Sequence, residues 1–139
     1  MDECVFCRIA AGQIPASWVY RDERVLAFMD IGQVNLGHVL VATRAHVENI
    51  YGLGAEDAAA VFTAATRIAQ AIKRETGCEG LNLFQANEKA GYQTVFHFHV
   101  HVLPRWRHDG LEVKWPSRNP PREELEAWAG RLRKALEGG

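Results

Sequence analysis

His97-Phe98-His99-Val100-His101 carries three of the chain's six histidines within five residues. On a β-strand alternate side chains face opposite sides, so these imidazoles share one face while Phe98, Val100 and Val102 line the other. One reading of such a row is a merely solvated polar face, although threonine, lysine or glutamate would serve solubility equally well. A second is a metal hydrolase, because histidines at i and i+2 reach one zinc and a third ligand leaves a position open for water. A third is nucleophilic catalysis, in which a neutral imidazole attacks phosphorus while its other ring nitrogen donates to an orienting acceptor. Neighbouring histidines then supply protons to the leaving group.

Other segments carry weaker chemistry. Cys4-x-x-Cys7 suits zinc, redox work or burial, and the βαβ pattern that a thioredoxin-like redox pair needs is absent. Asn87 to Thr94 is a polar approach to the histidine row that could aim amide, hydroxyl and backbone N–H donors at an oxyanion. Asp30 follows an apolar run beside Gly32, so it reads either as a ligand for a ribose diol or as a turn residue. His38 opens another run and reads as a site-bordering or a structural histidine. Cys78 reads as a lone buried thiol, and Arg105, Arg107 and His108 read as a solvated rim.

These residues need elements to position them. Val25–Met29 and Val39–Ala42 are short apolar runs bounded by turn residues, and they predict an antiparallel pair of buried strands. Val61, Ala64, Ala65, Ile68 and Ile72 recur at three and four residues, predicting a helix over 55–76 with Gly77 as its C-cap. Leu81–Gln85 and Val95–Val102 alternate and predict two more strands. After the proline-rich stretch 115–121, Leu125, Trp128, Leu132 and Leu136 mark one face of a closing helix, with Asn119, Pro120 and Pro121 as cap and first turn. Strands grouped around one long helix indicate α+β.

With 139 residues the chain fits one domain, 1–139, in which 108–139 form a C-terminal extension. Sixteen basic and seventeen acidic residues leave a net charge of −1, so no global field draws the protein to nucleic acid or to a membrane surface. No run approaches the roughly 20 apolar residues of a membrane span. Met1 leads directly into Asp2, Glu3 and Cys4 without a signal segment, and the expected location is the cytoplasm.

His97 through Leu103 resembles the H-φ-H-φ-H-φ-φ signature of the histidine-triad superfamily. Phe6–Ile9, Ile14-Pro15, Leu26–Ile31, Gly37–Val41 and Ala45-His46 resemble, in order, segments of its Hint branch and bacterial relatives. The resemblance covers residues 4 to about 105, and the long tail is similar to that of bacterial members with an added helix. It implies an antiparallel sheet of about five strands with one long helix, assembled as a homodimer.

The resemblance also implies roles. His99 is the nucleophile that forms a nucleotidyl-imidazole, His101 contacts phosphate and helps protonate the leaving group, and His97 completes the triad. Asp30 holds the ribose, His38 borders the site, and Asn87, Gln93 and Thr94 contact phosphate in a loop one residue shorter than in animal Hint proteins. Phe6, Ile9, Phe28, Ile31 and Leu40 form the base pocket. Related proteins hold a structural zinc with a C-x-x-C, one intervening histidine and the first triad histidine, here Cys4, Cys7, His46 and His97. The implied substrates are purine nucleoside phosphoramidates or similar nucleotidyl conjugates. A dinucleoside-polyphosphate hydrolase and a nucleotide-binding regulator are the alternatives.

Overall fold

Val25–Met29 (β2) and Val39–Thr43 (β3) pair antiparallel, as their unbroken apolar runs predict for strands covered on both faces. The computed structural model describes residues 3–139, and its five strands lie in the order β1-β2-β3-β5-β4, antiparallel throughout. The remaining strands are β1 (Trp18–Arg21), β4 (Gly80–Phe84) and β5 (His99–Arg105). Neither β1 nor the short helix α1 (Val5–Ala10) has a period strong enough to be read from sequence.

The long helix α2 spans Ala55–Thr76, the predicted range. Glu56 and Asp57 occupy its first turn and Lys73 and Arg74 its last, which complements the helix dipole. Gly77 caps it at φ 64°, a left-handed conformation that favours glycine. The buried row Val61, Ala64, Ala65, Ile68 and Ile72 packs on Val25, Ala27, Val39, Val41, Phe98, Val100 and Val102, which forms the main core on one sheet face. Cys78 is buried in the same core.

On the opposite face α1 lays Phe6 and Ile9 over Leu26, Phe28, Leu40 and Ala42. His99 and His101 pair across from Ala42 and Leu40 on β3, so the histidine row belongs to this second, thinner layer. The sheet thus separates a thick apolar core from the thinner layer that carries His99 and His101.

Three expectations need correction. The last central strand begins at His99 rather than Val95 and runs on to Arg105. Beyond Ala42 the ladder breaks because the His97 side chain, rather than a backbone amide, occupies the Thr43 carbonyl. The final helix, α3, spans Arg122–Gly138 with Pro121 at its cap, so Asn119 and Pro120 lie outside it. Among the described residues its apolar face is left uncovered: Leu125, Trp128, Leu132 and Leu136 are all exposed.

Truncating the α2 seam should be costly. Ile68→Ala removes a buried side chain from the main core and should lower the unfolding free energy by about 2–5 kcal/mol in urea titrations. An unchanged midpoint would mean that α2 does not seal the sheet.

Candidate active site

The nucleophile candidate is oriented by the backbone of its own row. His99 Nδ1 lies 2.7 Å from the His97 carbonyl oxygen, which can only accept, so Nδ1 carries the proton and Nε2 keeps a free lone pair. Phe6 packs edge-on against both His97 and His99, with ring centroids 5.6 and 5.1 Å away. Burial lowers the His99 pKa from its ordinary value, an effect that the His97 carbonyl and the Asp30 charge oppose. The imidazole is neutral at pH 7.

A second chain of bonds fixes His101. The Val34 amide donates to His38 Nδ1 at 3.3 Å, so the His38 proton sits on Nε2, 2.9 Å from His101 Nδ1. His101 accepts there and presents Nε2–H on its other side. Burial, with His99 and His38 close by, pushes the His101 pKa down to about 4. Asp30 adds a carboxylate at 3.4 Å from His38 Nε2 and 3.9 Å from His101 Nδ1, while its other oxygen accepts from the Gly32 amide. Gly37 makes this approach possible: its φ is 105°, and a Cβ there would meet Pro104 at 3.3 Å.

His97 faces away from that pair. Its Nε2–H donates to the Thr43 carbonyl at 2.6 Å, which leaves the Nδ1 lone pair directed at Cys4 Sγ (3.2 Å), Cys7 Sγ (3.7 Å) and His46 Nδ1 (3.3 Å). Cys7 Sγ lies 3.4 Å from His46 Nδ1. These separations match the edges of a tetrahedron of two thiolates and two imidazoles around zinc, roughly 3.3 Å for N···N and 3.5 Å for S···N. The Cys7 amide donates to Cys4 Sγ, and the Thr43 carbonyl holds the far nitrogen of His97 as an outer partner of a metal ligand does. The Cys7 thiol is pushed up to about 11 by burial and by Cys4, so without a cation it is poorly disposed to ionise. The four residues fit the metal that the sequence suggests.

Other predicted residues fall elsewhere. The Gln93 amide is buried and spent on the Glu88 amide and the Glu48 and Val95 carbonyls. Asn87 pairs with Gln85 and accepts from the Ile50 amide. Both side chains knit the approach loop to residues 48–50, Gln93 through the Glu48 carbonyl and Asn87 through the Ile50 amide. Thr94 is exposed, beside Cys4, His46 and Glu48. Phe6, Ile9, Phe28 and Leu40 are packed together in the thin layer, whereas Ile31 is fully exposed at its rim.

Sequence reasoning missed the clasp behind the site and read Arg105 wrongly as solvated rim. Arg105 bonds to Asp109, Asn82 and the Leu111 carbonyl, and Asp109 also accepts from Asn35. Asn35 in turn donates to the Pro104 carbonyl, which ties the 30–38 loop to the end of β5. These partners hold the Asp109 carboxyl far below the usual range. Only the four-residue spacing of Arg105 and Asp109 could have signalled it. Thr43, whose carbonyl fixes His97, has no sequence signal at all.

The HIT domain family model matches residues 11–108. The chain is 48% identical over 116 residues to Protein hit of Bacillus subtilis, covering 82% of this chain and 79% of that one. It is 34% identical over 125 residues to adenosine 5′-monophosphoramidase hnt1 of Schizosaccharomyces pombe, covering 89% and 91%. Among solved structures, a HIT family protein from Bacillus anthracis superposes with a TM-score of 0.93 at 42% identity, over 96% of this chain and 97% of that one. A zinc-bound histidine triad family protein from Mycobacterium smegmatis superposes at 0.74 with 38% identity, over 96% and 98%. A row of three alternating imidazoles, on a five-stranded antiparallel sheet shared with these proteins, makes this chain a member of the histidine-triad family.

Proposed function

We propose that this protein is a histidine-triad hydrolase or transferase that cleaves nucleoside phosphoramidates, or related nucleotidyl conjugates, at the α-phosphate. The observation that carries the reading is the His99 tautomer: with Nδ1–H bound to the His97 carbonyl, a neutral imidazole offers its Nε2 lone pair. Nε2 attacks phosphorus, the bond to the leaving group breaks, and a nucleotidyl-His99 forms whose added positive charge is held by Nδ1–H against that carbonyl. His101 donates through Nε2–H. The anionic phosphate beside it favours its charged form, so His101 takes up a proton from solvent and passes one from Nε2 to the departing amine or alkoxide. Water then cleaves the P–N bond and returns the nucleoside monophosphate. Asp30 accepts from the ribose hydroxyls, and Phe6, Ile9, Phe28, Ile31 and Leu40 supply the apolar side of the base site. His97 acts through position: its carbonyl holds His99 and its side chain serves the cysteine pair. The phosphoramidase name of the fission-yeast relative supports this substrate class.

Zinc in this reading is structural, held by Cys4, Cys7, His46 and His97; two thiolates and two imidazoles close the tetrahedron and leave no place for a reacting water. The zinc-bound mycobacterial relative supports it. The protein acts as a homodimer, a reading supported by the uncovered α3 face and by the open edge of β4, where Leu83 is exposed. Residues 108–139 form the extension to the domain. Three cysteines without a disulfide suit the cytoplasm. No helix among the described residues is long and apolar enough to cross a membrane.

His99→Ala should abolish the adduct seen by intact-protein mass measurement with an adenosine phosphoramidate, and should slow turnover by several orders of magnitude, with AMP binding kept within about tenfold. An adduct trapped in that variant removes His99 from the nucleophile's place. Equal or faster cleavage of a diadenosine polyphosphate would move the substrate class instead.

Because burial lowers the His99 pKa, the acid limb of kcat/KM should have its midpoint below 6.5. Stability follows the same sign. The unfolded histidines bind protons near pH 6.5 that buried His99 and His101 refuse, so stability is complete above that pH and is lost as pH falls toward 4. A kcat/KM limb at or above 6.5 contradicts the neutral nucleophile.

Removing the metal should lower the melting temperature while turnover persists in whatever protein stays folded. Metal content, melting temperature and native mass of the wild type, and of a variant with Cys4→Ser and Cys7→Ser, check this. A fully folded zinc-free protein without turnover would favour a metal hydrolase. Metal-free wild type after gentle purification would return the cysteines to the core, and a monomeric mass at micromolar concentration would exclude the dimer.

A further inference from the structure

A second group of metal-ligating atoms lies beside the nucleophile, on the opposite side of the row from the cysteines. Asp30 ends β2, His38 enters β3 and His101 stands on β5, so three elements of one sheet face converge on a single small volume. His38 Nε2 is 2.9 Å from His101 Nδ1 and 3.4 Å from Asp30 Oδ2, and His101 Nδ1 is 3.9 Å from that oxygen. A point equidistant from these three atoms lies about 2 Å from each, which is the bond length of zinc to imidazole nitrogen or carboxylate oxygen. The His38 side chain is buried, whereas those of Asp30 and His101 are 21% and 30% exposed, so the group opens to solvent on one side.

We propose that Asp30, His38 and His101 form a second metal site, an open two-histidine, one-carboxylate site for a divalent transition cation such as zinc or cobalt, and that filling it blocks the nucleotide site. The blocking half rests on the roles given above to Asp30 and His101; the metal half does not. Two imidazoles and one carboxylate favour zinc, cobalt or copper over magnesium or calcium, which prefer all-oxygen shells. His101 already directs its Nδ1 lone pair into the site. His38 must move its proton from Nε2 to Nδ1, which gives up the long 3.3 Å bond from the Val34 amide and the 2.9 Å bond from Nε2–H to His101, the cation taking the place of that proton between the two rings. One solvent-facing position remains for water. The bound cation would neutralise the carboxylate meant for the ribose diol and hold His101 uncharged, so cation and nucleotide exclude each other, and by linkage each weakens the other equally.

Cobalt titration of the wild-type protein, first brought to one equivalent of zinc, tests this by absorption spectroscopy and metal analysis. A second equivalent should bind with d–d bands and no thiolate-to-cobalt charge transfer. Asp30→Ala and His101→Gln, each verified as folded by circular dichroism, should bind that cobalt at least tenfold more weakly and keep the zinc. Saturating AMP should raise the apparent Kd for cobalt at least tenfold. The metal site is overturned if no second equivalent binds, if charge-transfer bands show cobalt on the cysteines instead, or if both variants bind as the wild type does. Cobalt and AMP binding together without competition overturns the blocking. AMP binding is measured separately by calorimetry: if AMP does not bind at all, the nucleotide reading fails and the cobalt spectrum still decides the metal site.

Discussion

His97 has no exposed surface, and every polar atom it owns beyond its amide is engaged. Its Nε2–H donates to the Thr43 carbonyl, its Nδ1 turns to Cys4, Cys7 and His46, and its own carbonyl takes the proton of His99. One residue therefore fixes the protonation of His99, the proposed nucleophile, anchors the N-terminal helix and ends the β3–β5 ladder. An imidazole buried so deeply must have both nitrogens satisfied, because a buried polar atom without a partner costs about 1–3 kcal/mol. With a carbonyl on one nitrogen, the other can only accept a proton or bind a cation. The cysteine pair and the histidine row are thus one constraint. Helix α1, only six residues long, is too short to persist alone, so it depends on that anchorage and on Phe6 packing against the row.

Electrostatics in the thin layer follow from the same crowding. His97, His99, His101 and His38 all have pKa values lowered chiefly by burial, and each lies within reach of another imidazole. Had any two been charged together, repulsion in a region of low polarity would have opposed folding. Neutrality is the condition under which the row can be built, and it is also the state a nucleophilic imidazole requires. Fold stability and reactivity therefore favour the same protonation. Among the described residues Asp30 is the acid whose charge acts on His38, His99 and His101, and it softens the lowering without reversing it.

How much of this was legible depends on how local each signal is. The α2 range, both central strands and the histidine face could be read because period and turn residues are properties of contiguous sequence. The start of β5 could not, since the ladder is broken by a side chain reaching the Thr43 carbonyl from 54 residues away. Gln93 and Asn87 have the residue types of phosphate ligands, yet Gln93 donates to a carbonyl 45 residues away and Asn87 bonds to Gln85 and to the Ile50 amide. Arg105 looked like a solvated cation because Asp109 and Asn35 meet it only after the sheet forms. Spacing identifies which side chains share a face, and the fold decides which of them remain free.

His97 and His38, one in each group, carry the same tautomer and differ in how firmly the backbone fixes it. In the cysteine cluster, His97 is protonated on Nε2 by a carbonyl that never donates, so its Nδ1 always presents a lone pair. In the Asp30 group, His38 is protonated on Nε2 by a long bond from the Val34 amide to Nδ1, so its inward nitrogen is normally a donor to His101. A strong, short partner at 2.6 Å makes the first choice fixed; a weak one at 3.3 Å leaves the second reversible. The backbone acceptor thus commits one side of the row to structure. The backbone donor leaves the other side able to exchange a proton, as the proposed acid role of His101 requires.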